Sequence, residues 1–207
     1  LAFFRKYKTS VSGSATLRAL QWRIKSLENE GIFTRNIDEV EKALKQRKTI
    51  ILRGTNRHLN MLASYMFRKF YLKRRAYIDS MELHKEGEPF PPFIITMDEA
   101  HIFAPNISSS SPTKQIIKTI AQEGRKYGVF EILATQRPSI LDDTVIAQLS
   151  TKVVFRTTIS EDLEKIRKET DLTEQEVKRL PYLNSGNAFV SSAILGKTVS
   201  IRFRSNF

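Results

Sequence analysis

With 207 residues, 41% of them hydrophobic, the chain is long enough for one ordinary domain with a buried core and is not of disordered composition. It has no cysteine, which excludes a disulfide framework and any thiolate-bound zinc. No apolar run nears the ~20 residues that span a bilayer, and the initial "LAFF" is too short for a signal peptide. The net charge of +12 is uneven, +10 over residues 1–92 and +2 over 93–207. That distribution suits either a polyanionic partner, nucleic acid above all, or the solvated surface of a charge-rich protein.

Taken in chain order, residues 14–30 carry Leu17, Leu20, Trp22, Ile24 and Leu27 at roughly helical spacing, with Ser14 as an N-cap and Gly31 as a stop. Asp38 is placed to cap a second helix running to about Gln46. "TIILR", 49–53, reads as a buried strand by its β-branched bias. A helix is expected from about Arg57 to Arg75, with Leu59, Leu62, Ala63, Met66, Phe67 and Phe70 on one face and a basic end that suits the helix dipole. Residues 80–92 are a loop by their glycine and prolines, followed by a strand over 93–98, the polar stretch "NISSSSPTK" and a helix over about 112–127 that Gly128 ends.

The next expected elements are a strand over 129–135, a short helix over about 142–149 and a strand over 152–156. Helices near 160–169 and 173–179 follow, then a β-hairpin turning at Leu195-Gly196-Lys197. Strands alternating with helices point to an α/β fold, a parallel sheet with a mixed edge flanked by helices. The expected division is a helical arm over 1–48 and a core over 49–207.

The most informative stretch is "FIITMDEAHIFAP", 93–105, a short apolar run that ends in Asp98 and Glu99. Open α/β sheets bind ligands at the carboxyl ends of their strands, so these acids either serve a site there or are solvated strand-end charges. An apolar run ending in Asp-Glu resembles a Walker B motif, in which the first carboxylate holds Mg²⁺ through water and the second activates the attacking water. Mg²⁺ prefers hard oxygen ligands and keeps several waters, and hydrolysis needs a group to orient and deprotonate water. In "ILATQRPS", Gln136 stands at the end of the neighbouring strand, either as a group that contacts the γ-phosphate and the water or as a turn residue before Pro138. In "EGRKYG", Arg125, 26 positions after Glu99, is either a finger reaching a neighbouring subunit's γ-phosphate or a charge complementing the helix C-terminus.

The ordered set Asp-Glu-Ala-His, Arg-Lys-Tyr-Gly, Ala-Thr-Gln-Arg-Pro and a strand ending in Arg156 resembles the HerA group of the HerA–FtsK ATPases, most clearly over 93–157. The resemblance implies a RecA-like core and a cytoplasmic homo-hexameric ring that moves or unwinds double-stranded DNA with ATP and Mg²⁺. It also implies work beside a NurA-type nuclease in the end resection that precedes archaeal recombination repair, with no membrane. On that pattern Asp98 takes the metal role and Glu99 the catalytic base. Gln136 becomes the γ-phosphate sensor and Arg125 the trans-acting finger, with Arg137 and Arg156 as further nucleotide-binding arginines. Basic candidates for gripping DNA are Arg68, Lys69, Lys73, Arg74 and Arg75, each more readily read as solvated surface.

Two features depart from the family pattern. No G-x-x-x-x-G-K-[ST] occurs in the 207 residues, so the backbone cradle for phosphates and its lysine are not in this chain. The chain begins at Leu1, and an upstream phosphate-loop segment is expected. The strand at 49–53 also runs into "RGTN" rather than an acidic turn. The alternatives are a two-domain DEAH helicase, a conjugation- or secretion-type ATPase of the same superfamily, and a non-catalytic DNA-binding or ring-assembly piece. Without the phosphate loop, the chain alone is expected to be inactive as an ATPase.

Overall fold

The computed structural model describes residues 18, 21, 22, 25, 37–107 and 111–204. Arg18, Gln21, Trp22 and Lys25 are helical, and the rest of the helix expected over 14–30 lies outside the described residues. The chain divides into two compact units, Leu1–Leu52 and Arg53–Phe207.

In the first unit, α1 spans Ile37–Lys45. Asp38 and Glu39 occupy its first turn and Lys42 and Lys45 its last, the order that complements the helix dipole. Asp38 is thus a first-turn residue and not the expected cap. Glu41 and Lys45, one turn apart, are 3.4 Å from each other. The strand expected over 49–53 is absent: the segment has no regular structure and Ile51 is exposed. A β-branched run becomes a strand only where a neighbour completes its ladder.

In the second unit, α2 spans Asn56–Glu82, 27 residues, and starts at Thr55, whose side chain accepts from His58 N. It outruns the expected end at Arg75 because the basic stretch is used in packing. Arg74 donates from Nε to Tyr127 O at 2.7 Å and from Nη1 to Phe90 O at 2.6 Å. Arg75 lies 3.5 Å from both Asp79 and Glu123, and its guanidinium sits over the Tyr127 ring. The buried stripe of α2 is Ala63, Met66, Phe70 and Tyr71. Phe70 meets Phe90 and Phe93 in a ring cluster that seats the helix against the sheet.

β1 (Phe93–Met97) and β2 (Val129–Leu133) pair in parallel, with Phe93 opposite Val129 and Met97 opposite Leu133. The crossover between them is α3, Lys114–Tyr127. Gly128 ends α3 in the left-handed region at φ 69°, as expected. Gly124 is required one turn earlier, since a Cβ there would fall 2.6 Å from Val129 O. Phe93, Ile95 and Met97 are buried on one face of the pair, whereas Ile94, Phe130 and Ile132 are exposed on the other.

The chain continues through α4 (Asp143–Gln148), β3 (Thr151–Val154), α5 (Ser160–Glu169) and α6 (Glu174–Arg179) to β4 (Asn187–Ser192) and β5 (Val199–Arg202). β3, β4 and β5 form an antiparallel sheet in that order, with β4–β5 the expected hairpin. Val154, Ile166, Leu172, Val177, Leu180 and Phe189 make a small core beneath it. The structure is therefore α/β with one parallel pair and an antiparallel end. No described helix is long and apolar enough to cross a membrane.

Candidate active site

The carboxyl ends of β1 and β2 meet at a cluster of four side chains: Glu99, His101, Thr135 and Gln136. The backbone sets it up. Ala134 N donates to Met97 O at 2.8 Å and Ala100 N donates to Ala134 O at 2.9 Å, so the pairing continues past both strands. Between those two bonds Glu99 adopts φ 48°, ψ 48°, a left-handed conformation uncommon for a side-chain-bearing residue. Such a conformation costs on the order of 1 kcal/mol and persists only where surrounding contacts impose it. Here it turns the Glu99 carboxylate across the tip of β2. Gln136 Nε2 donates to Glu99 Oε1 at 2.7 Å, and Gln136 N lies 3.5 Å from Glu99 Oε2.

His101 and Thr135 complete the cluster. His101 Nδ1 is 2.8 Å from Thr135 Oγ1 and 3.4 Å from Glu99 Oε2. Thr135 Oγ1 also accepts from Arg137 N at 3.1 Å. Asp98 is exposed, and one of its oxygens accepts from Glu99 N at 2.9 Å. The other carboxylate oxygen has no described partner, which fits a Mg²⁺ ion that keeps most of its waters and takes one protein carboxylate.

The segments around the cluster are firmly held. Asn60 of α2 donates to Ile102 O at 3.1 Å, while its Oδ1 accepts from Ser111 Oγ at 2.8 Å and Thr113 Oγ1 at 2.7 Å. Residues 108–110 of the polar stretch lie outside the described residues. Asp142, which caps α4 by accepting from Thr144 N and Val145 N, is buried beside Lys114 at 2.9 Å and Lys118 at 3.2 Å. Burial pushes its carboxyl up, but the two ammonium groups and the Val145 N–H outweigh that and hold it below its ordinary range.

The structure brings together Asp98, Glu99 and Gln136 of the residues singled out from the sequence. It directs the three arginines elsewhere. Arg137 Nε is 3.3 Å from the buried Asp162 and Nη2 is 3.7 Å from Glu161, while Ser139 N donates to Asp162 at 3.0 Å; together these dock the 137–139 turn on α5. Arg125 is exposed in the last turn of α3, at the opposite end of the β1–β2 pair, and no described side chain bonds it. Arg156 follows β3, exposed and likewise without a described partner. His101, Thr135 and Asn60 were not singled out. The first two lie inside the recognised Asp-Glu-Ala-His and Ala-Thr-Gln-Arg-Pro motifs, and Asn60 had no local signal.

A parallel strand pair whose carboxyl ends carry a paired glutamate and glutamine is the arrangement of an α/β protein that works on a ligand at its strand tips. Comparison with known proteins makes this particular: the chain is similar to HerA-type helicases. It is 28% identical over 138 residues to the DNA double-strand break repair helicase HerA of Sulfurisphaera tokodaii, covering 66% of this chain and 27% of that protein. It is 30% identical over 174 residues to a probable helicase of Methanocaldococcus jannaschii, covering 81% of this chain and 31% of that protein. The chain thus spans less than a third of the length of these relatives. No protein-family model matches it. Among solved structures, the genome packaging NTPase of Sulfolobus turreted icosahedral virus 2 superposes with a TM-score of 0.48 at 16% identity, over 65% of this chain and 60% of that one.

Proposed function

We propose that this chain is part of an ATP-driven translocase or helicase of double-stranded DNA, acting as a homo-hexameric ring in DNA end resection beside a NurA-type nuclease. Glu99 is the general base, Gln136 positions water and reads the γ-phosphate, and Asp98 would hold Mg²⁺ through water. Arg125 acts on the site of a neighbouring subunit. The observation that carries this reading is the 2.7 Å contact between Gln136 Nε2 and Glu99 Oε1.

The contact has chemical consequences. A carboxylate accepts only, so the amide nitrogen and not the amide oxygen of Gln136 faces Glu99. Gln136 Oε1 is thereby turned away as an acceptor. A water at the strand tips can give one proton to a free lone pair of Glu99 and the other to Gln136 Oε1. Its own lone pair would remain free to attack a bound γ-phosphate. Glu99 would take the proton as the water oxygen bonds to the γ-phosphorus and the bond to the bridging oxygen breaks, releasing ADP and phosphate. Bound Mg²⁺ would neutralise charge on the phosphate oxygens.

Three further facts support the reading. The HerA relative's name states DNA double-strand break repair. The net charge of +12 favours a polyanionic partner. The exposed apolar face of β1–β2, with Ile94, Phe130 and Ile132, suits a further segment carrying the phosphate loop, since parallel sheets are ordinarily covered on both faces.

The test is Glu99→Gln in a full-length protein that includes a phosphate loop. Steady-state ATP hydrolysis should vanish while ATP binding stays within a few-fold. Undiminished hydrolysis would sink the assignment of the base. The missing G-x-x-x-x-G-K-[ST] motif favours a second reading for the chain by itself, a DNA-binding or ring-assembly piece without turnover. It should then shift duplex DNA in a gel at low salt and hydrolyse no ATP.

A further inference from the structure

We infer that His101 and Thr135 are positioning residues that hold the Glu99 carboxylate against Gln136, so that the tips of β1 and β2 act as one unit. The inference rests on Glu99 being the base and concerns what keeps it in place.

The protonation pattern follows from the neighbours. His101 Nδ1 lies 3.4 Å from Glu99 Oε2, and an unprotonated Nδ1 would set its lone pair toward a carboxylate oxygen. The ring therefore carries hydrogen on Nδ1. That hydrogen points to Thr135 Oγ1 at 2.8 Å, with the carboxylate as its second, longer partner. Thr135 Oγ1 receives a second donor, Arg137 N, at 3.1 Å. A hydroxyl has two lone pairs, and both are now used. Its own hydrogen remains to be given. His101 leaves β1 two residues after Glu99, whereas Thr135 immediately precedes Gln136. The His101–Thr135 bond is thus a second cross-link beside the Glu99–Gln136 bond.

The cross-link has something to oppose. Glu99 sits in the left-handed region, and nothing in its own sequence neighbourhood prefers that conformation. The Glu99 side chain is only 31% exposed and that of His101 18%, so both are held by the cluster and not by solvent. A carboxylate swung off Gln136 would no longer share a water with it, and misplacement by about 1 Å can cost ~100-fold in rate.

The test uses ATP turnover of a full-length protein carrying a phosphate loop, with Glu99→Gln as the reference for loss of the base. His101→Ala and Thr135→Val should each lower kcat about 10-fold with KM little changed, and the double variant should be no worse than either single one, because both break the same link. Thr135→Ser, which keeps the hydroxyl, and His101→Asn, whose amide nitrogen falls near Nδ1, should each recover most of the loss. Thermal unfolding of each variant separates loss of fold from loss of positioning; if His101→Ala unfolds, the Thr135→Val and Thr135→Ser pair decides alone. An unchanged kcat in Thr135→Val with an inactive Glu99→Gln overturns the inference and leaves the function intact. A loss that Thr135→Ser does not recover also overturns it. An active Glu99→Gln removes the base itself, and the inference falls with it.

Discussion

Arg125 and Glu99 lie at opposite ends of the same strand pair. Arg125 is in the last turn of α3, just before the first residue of β2, and Glu99 follows Met97, the last residue of β1. Four residue steps of strand separate those ends, about 13 Å of sheet. An arginine so placed cannot serve the Glu99 of its own chain without dismantling the helix that carries it. If it acts on phosphate at all, it acts on a neighbour's. Arg125→Ala should therefore be inactive alone, and mixing it with equally inactive Glu99→Gln subunits should restore turnover. In a randomly mixed ring about a quarter of interfaces combine an intact glutamate with an intact arginine. ATPase measured against mixing ratio checks this, and a flat zero across all ratios rules out the trans role.

The Glu99–Gln136 contact gives a prediction of a different kind. Gln136→Glu keeps the size of the side chain and replaces the donor by a second carboxylate about where the amide stood. Two carboxylates at that separation cannot both ionise comfortably, so one carboxyl is pushed up and the pair parts as both charge. Turnover of the full-length protein should fall about 100-fold or more near pH 8, while Gln136→Asn, with the donor drawn back by one methylene, should fall less. Equal losses in the two variants would mean that Gln136 does not act through its contact with Glu99.

Much of this was readable from the sequence, for reasons that differ by element. Gly128 as a helix stop and the hairpin around Gly196 are local choices of backbone, written into a few adjacent residues. The placing of Gln136 on the strand beside that of Glu99 followed from motif order, because consecutive parallel strands bring their carboxyl ends side by side; the bond between the two side chains did not. What could not be read depends on partners distant in the chain. Residues 49–53 have strand composition, but composition does not supply a ladder. Arg74 and Arg75 read as basic surface, yet they are spent on Tyr127 O, Phe90 O and Glu123. His101 became meaningful only once Thr135, 34 residues on, was seen beside it.

Glu131 is an unusual occupant of β2. It stands opposite Ile95 on the buried face, and neither carboxylate oxygen has a hydrogen-bond partner among the described residues. Burial pushes its carboxyl up to about 8. Between the ordinary carboxylate range and pH 8 the folded chain therefore holds a proton that the unfolded chain has lost. Stability contributed by the neutral form is present at pH 4–5 and lost as pH rises toward 8. Glu131→Gln removes the titration and should be more stable than the natural chain by a few kcal/mol at pH 8, with little difference at pH 5. Chemical denaturation at the two pH values checks it; an equal difference at both would show that Glu131 is not buried as a neutral acid.

The basic stretch of α2 divides into residues with different work, and two measurements separate them. Arg74 donates to two carbonyls, Tyr127 O at 2.7 Å and Phe90 O at 2.6 Å, and these bonds tie the end of α3 and the entry to β1 onto α2. Burial lowers its guanidinium from the ordinary value, the mark of a side chain drawn out of water to make those bonds. Arg74→Ala should cost about 2–3 kcal/mol of stability, since charged donors are lost and both carbonyls are left without them. Arg68 is exposed on the same helix. Its replacement by Ala should leave the unfolding midpoint within ~0.5 kcal/mol. If this face meets DNA, Arg68→Ala should also weaken duplex binding uniformly across sequences and lower the slope of log K against log salt by about one. A stability loss at Arg68 equal to that at Arg74 would contradict the packing described for α2. An unchanged salt slope would place the DNA-gripping charges on another surface.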